Sequence, residues 1–155
     1  MQPALAALFY RDLTRLHQEI EAYPDGETLW RVAEGISNSA GNLVLHLMGN
    51  LNSYLGAALG QTGYVRNREA EFSTKNLSKQ DLLERIVATR RVVETVIQSL
   101  SEEQLAAPFP IEVLGYPMST LSFLFHAHGH LTYHLGQIDY HRRLLVVGGA
   151  IDFVH

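Results

Sequence analysis

The chain has 155 residues and no cysteine, with twelve Lys and Arg against sixteen Asp and Glu for a formal charge of −4. That length fits one domain over residues 1–155, and 46% apolar residues suffice for a core and are too many for a disordered chain. The absent cysteines exclude a disulfide, a thiolate metal site and a cysteine nucleophile, while the mild negative charge offers nothing to a phosphate backbone, so no nucleic acid partner is expected.

Met1-Gln2-Pro3-Ala4 lacks the basic start and small-residue cleavage site of a secretory signal, which makes the cytoplasm the expected address. Leu5, Phe9, Leu13, Leu16 and Ile20 recur at steps of three and four and predict an amphipathic first helix, ended by Pro24-Asp25-Gly26. A short helical piece around Leu29 to Val32 leads to Gly35. The second long helix is expected from Ser39 to Leu59, before Gly60. Its apolar tract, Leu43 to Leu59, is interrupted by His46, Asn50, Asn52 and Ser53 and falls short of the roughly 20 apolar residues of a membrane span.

Gln61 to Asn76 is polar and reads as a long loop. Ser78 with Asp81 resembles a capping box, and Leu77 is placed to staple onto Leu82, so a third helix starts there. Its apolar face carries Leu82, Ile86, Val93, Val96, Ile97 and Leu100. Ser101 to Gln104 opens a short turn. Pro108, Pro110, Gly115 and Pro117 exclude a helix, leaving room for a short extended piece over Ile111 to Leu114. Ser119 caps a fourth long helix running to about Val147. The expected fold is all-α, a four-helix bundle with long connections.

Five of the eight histidines lie between His126 and His141. At about 100° per residue, Ser39, Asn42, Asn50 and Ser53 fall within about 40° of His46 on the second helix. On the fourth helix His126, His134, Gln137 and His141 fall within about 40° of His130, with Tyr133 just outside and His128 on the other face. A buried polar group without a partner costs about 1–3 kcal/mol, so two such stripes on apolar helices must face water, face each other or bind something. Residues four apart on a helix are neighbours, so the last helix can present an imidazole pair, His126/His130 or His130/His134, with His46 completing a three-histidine set. Three protein ligands and an open position characterise catalytic rather than structural zinc-type sites. A core His46 bonded to a facing Asn or Tyr, and a solvated or subunit-facing histidine face, are the plainer alternatives. His17 and His155 are expected at the surface and His141 near the site mouth.

The segment His130-Leu-Thr-Tyr-His134-Leu-Gly136-Gln137 resembles the HxxxHxGQ signature of the DinB/YfiT-like superfamily. Asn38 to Asn50, which contains Asn42-Leu-Val-Leu-His46, and Arg66-Asn-Arg68-Glu-Ala-Glu71-Phe72 resemble an uncharacterised branch of it. The resemblance implies a four-helix bundle holding a divalent ion (zinc, nickel or iron) on His46, His130 and His134. It implies a metal-dependent enzyme, a transferase using a low-molecular-weight thiol. A metal-dependent hydrolase of a small substrate and a non-catalytic metal- or ligand-binding bundle are the alternatives. A homodimer is a family-level expectation, and Leu135 stands where relatives often carry a basic residue.

No acid lies in either stripe; Glu34, Asp139 and Glu71 are the nearest in sequence, and none is favoured by facing. Asn42, Asn50, Tyr133 and Gln137 are candidates to orient ligands or substrate, or to serve as core hydrogen-bond partners. Arg66 and Arg68 could take a substrate carboxylate, with pairing to Glu69 or Glu71 as the alternative. Trp30 and Tyr64 are candidates for lining a pocket or capping the core.

Overall fold

Three of the four long helices begin where a serine can accept hydrogen bonds from the free N–H groups of the first turn. Ser39 accepts from the Asn42 amide, Ser78 from Asp81 and Ser119 from Ser122, and the Ser78–Asp81 capping box is reciprocal as its sequence predicts. The first helix instead carries Pro3 in its opening turn, where the missing N–H is no loss. The computed structural model describes residues 1–153 and contains α1 (Gln2–Glu21), α2 (Gly26–Trp30), α3 (Ala40–Leu51), α4 (Arg68–Ser73), α5 (Lys79–Ser99), α6 (Glu102–Ala106) and α7 (Thr120–Leu145). Among these residues there is no β-strand, and no helix is long and apolar enough to cross a membrane.

The long helices α1, α3, α5 and α7 form the bundle. Helix α1 packs on α5 and α7, and α3 packs on the same two, so α1 and α3 sit diagonally, as do α5 and α7. Diagonal neighbours in sequence require crossover connections, which is why 22–39 and 100–119 are long; α2 and α6 give them structure. The core runs along the shared axis and includes Phe9, Leu13, Leu47, Leu51, Ile86, Val93, Phe123 and Leu131. Trp30 lies flat on the start of α3, where Gly41 leaves room for its ring, and donates its indole N–H to the Leu77 carbonyl. It caps the core.

Three expectations change. The expected loop over Gln61 to Asn76 contains α4, one turn and a half that no hydrophobic period announces; Asn67 caps its start and Asn42 its end. The second long helix turns from α into a π segment at Asn52–Ala57, widening its last turns. Ile111 to Leu114 form no strand; the only extended pairing there is an isolated bridge between Pro108 and Ser119.

Buried charge ties α7 to α1. Asp12 is 1% exposed and is held by Arg11, Arg15 and His128, the last at 2.8 Å across the helix interface. Further along, Glu19 and Arg142 form a fully buried pair at 2.5 Å. Removing one member of such a pair strands the other charge away from water, at a cost of about 3–5 kcal/mol. Arg142→Met should therefore lower unfolding stability by about that amount in urea titrations, and Glu19→Leu in the same chain should restore most of it. Equal stability of wild type and Arg142→Met would contradict this account.

Candidate metal centre

Helices α3 and α7 run antiparallel, so that Tyr54 meets Phe123 at one end and His46 meets His130 further on. His130 and His134 stand one turn apart on the same face, as their four-residue spacing requires. The structure thereby chooses His130/His134 over His126/His130: the Nε2 atoms of His46 and His134 each lie 3.1 Å from Nε2 of His130. One ligand atom from each of the three lies within 4.8 Å of the others.

The outer nitrogens decide what the inner ones offer. Nδ1 of His46 lies 3.0 Å from Glu71 Oε2 and Nδ1 of His134 2.7 Å from Gln137 Oε1. Both acceptors lack a proton to give, so each Nδ1 carries the hydrogen and donates it, and each Nε2 is left with a lone pair aimed at His130. One N–H on His130 can answer only one of those lone pairs, and its buried Nδ1 has no partner. The three-histidine cluster is thus short of positive charge at its centre, and its donor set fits a divalent cation.

Glu71, 5% exposed, reaches His46 from α4. Arg66 grips its carboxylate with two bonds, Nε to Oε1 at 2.7 Å and Nη2 to Oε2 at 2.9 Å, and so takes the paired role over substrate binding. Gly49, one turn beyond His46, leaves the space that this carboxylate fills; a methyl there would collide with Oε1. Asn42 fixes α4 from the other side, its amide donating to the carbonyls of Glu71, Phe72 and Thr74 while Ser39 and Lys75 donate to its oxygen. The Asn42 and His46 stripe therefore faces α4 as well as α7. Glu71 was invisible to facing arithmetic because it arrives from a segment without a period.

The remaining candidates separate. Arg68 stacks over Phe72, whose ring in turn packs on His46. Tyr133 is exposed with its ring edge on His134, and His126 is exposed against Phe123. Asn50 is half-buried on α3, four residues after His46. Tyr64 is exposed and Glu34 is exposed, while Asp139 pairs with Arg142 and Arg143. His141 is not at a site mouth: it is buried, Nε2 donating to the Arg31 carbonyl and Nδ1 accepting from Tyr23 Oη at 2.7 Å. It pins α7 to the connection after α1. His128 faces Asp12 on the far side, as its angle predicts, and His17 is half-buried beside Glu21. His155 lies outside the described residues.

Burial holds the His130 imidazole down to about 4, with the neighbouring His134 and His46 adding to the effect. Burial also lowers His46, against the opposing pull of Glu71. Both are neutral at pH 7 and ready to act as ligands. In metal-free protein the unfolded chain takes up protons on these rings from about pH 6.5 downward while the folded chain resists, so acid favours unfolding. Stability of the metal-free protein should fall as pH drops from 6.5 towards 4, and His130→Phe should flatten that fall. A denaturant midpoint that is independent of pH across this window would contradict the assignment of neutral rings.

The model of the DinB superfamily matches residues 8–138. A conserved protein from Enterococcus faecalis has the same fold, with a TM-score of 0.76, 16% identity, and coverage of 96% of this chain and 98% of its own. A DinB-like protein from Bacillus cereus superposes with a TM-score of 0.66 at 16% identity, covering 90% of this chain and 91% of its own. No curated protein matches the sequence. With the family match spanning most of the bundle and both histidine-bearing helices, the chain belongs to the DinB superfamily.

Proposed function

We propose that His46, His130 and His134 hold one divalent cation through Nε2, and that the protein is a metal-dependent transferase using a low-molecular-weight thiol. The observation that carries the reading is the convergence of three Nε2 atoms while Glu71 and Gln137 hold the protons of two rings at Nδ1. Imidazole sets of this kind suit zinc, nickel or iron. A bound divalent ion with an open position polarises a carbonyl and lowers the pKa of a bound water or thiol.

The side chains around the cluster favour the thiol. Both Glu71 oxygens are engaged, Oε1 by Arg66 and Oε2 by Arg66 and His46, so this carboxylate orients a ligand and is not free to take a substrate proton. A free thiol ionises near 8.5, far below water, so the ion has less to do to make it a nucleophile. The chain has no cysteine, so the sulfur arrives on a cosubstrate. Hydrolysis of a small substrate by a water on the ion is the second reading.

Protein reconstituted with zinc, nickel or iron should carry about one equivalent by elemental analysis, and His46→Ala or His130→Ala should lose most of it. Glu71→Gln should keep the site but bind the ion about 10–100-fold more weakly. Wild-type protein without a transition metal after reconstitution would end the metal reading. In assays of model electrophiles, turnover should require added thiol; turnover without thiol would replace the transferase by the hydrolase.

A further inference from the structure

Next to the imidazole cluster, α3 and α7 border a 360 Å³ cavity whose third side is formed by Ala33, Gly35, Ile36, Ser37 and Asn38. Leu43, one turn before His46, and Gln137, three residues after His134, both line it, so it adjoins the cluster along both helices, on the Nδ1 side of His134. Gln137 belongs to both places: its oxygen accepts from His134 Nδ1 and its amide NH2 remains available to a ligand. The other walls are Ile36, Leu144, Leu145 and the ring of Tyr140 together with the uncharged polar Ser37 and Asn38, and among the described residues no Asp, Glu, Lys or Arg lines the space. His141 contributes only its ring edge, since Tyr23 and Arg31 occupy both its nitrogens.

We propose that this cavity receives the second substrate of the metal site, an uncharged, mainly apolar small molecule with a hydrogen-bond acceptor placed for the Gln137 amide. The proposal rests on the metal-site reading and adds to it the chemical class of the acceptor. An ionised ligand would lose water here without meeting an opposite charge, which disfavours it. A largely apolar lining with few polar groups to fix orientation is what small-molecule sites of this size use. The described residues after α7 do not fill the space: they turn towards α1, where Gly149 accepts from the Arg142 that pairs with Glu19, and Phe153 lies under Arg15. A larger cavity of 560 Å³ lies behind Glu71; Glu71 and Arg85 line it, so it differs in charge as well as place.

The pair 4-fluoroacetophenone and 4-fluorobenzoate tests the class directly, since the two have similar size and differ in charge. In fluorine NMR titrations of the metal-free protein, the ketone should bind saturably with a dissociation constant on the order of 1 mM, and the benzoate at least about tenfold more weakly. Ile36→Glu and Leu144→Glu alter exposed lining positions, 38% and 72% accessible, and so leave the core intact. Each should weaken ketone binding about tenfold or more, with unchanged circular dichroism. Equal binding of both probes, or ketone binding untouched by both variants, would overturn the proposal.

Placement beside the metal is read separately, by comparing cobalt-loaded with zinc-loaded protein. The bound ketone's fluorine signal should broaden strongly only with paramagnetic cobalt. Absence of that broadening in protein shown by elemental analysis to carry cobalt would overturn the assignment of this cavity to the metal site. Failure to load cobalt at all would instead appear in the elemental analysis and overturn the metal reading on which the proposal stands.

Discussion

A neutral imidazole has one proton to give, and between α3 and α7 three of them meet Nε2 to Nε2 with two protons already committed outward to Glu71 and Gln137. Such a meeting of lone pairs at a helix interface is a donor set that could hold a divalent cation. Most of what surrounds it serves to hold that arrangement: the neutral rings, the absence of a charged stripe on α3, and the carboxylate brought in from outside the bundle. Replacing the imidazoles by leucines would give an ordinary apolar seam between α3 and α7. The fold would keep its packing and lose the donor set.

The topology explains how the supporting carboxylate arrives. Helices α3 and α5 are neighbours, and a tight turn could have joined them. The chain spends 58–78 instead, enough length for α4 to lie along α3 and deliver Glu71 to the back of His46. Arg66 neutralises that carboxylate, Gly49 makes room for it and Asn42 ties down the backbone that carries it. A histidine whose outer nitrogen is fixed in this way presents one tautomer and one orientation, which is the usual role of a ligand's hydrogen-bonded partner.

A separate set of charges secures the frame. Asp12 with His128 and Glu19 with Arg142 join α1 to α7 on the side away from the imidazoles, and Tyr23 with His141 ties the connection after α1 to the end of α7. These contacts hold the last helix along its length, so that His130 and His134 keep a fixed distance from α3. They also divide the histidines by environment. His128 and His141 satisfy themselves against polar partners, whereas His130 is left with a buried Nδ1 that nothing answers.

The amino-acid sequence determined the long helices and their starts, because a periodic apolar face and a serine cap act over neighbouring residues. It determined the polar stripes as well, and the separation of His128 from His130, since facing follows from 100° per residue. Helix α4 escaped because six residues cannot display a period, and its form depends on Asn42 bonding to its last carbonyls. His141 lies in the right stripe, yet it bonds Tyr23 and Arg31, because angle around a helix says nothing of which neighbour lies opposite at that height. Only tertiary structure, by packing α3 against α7 in one register and laying α4 beside them, decided which three histidines meet and which acid stands behind them.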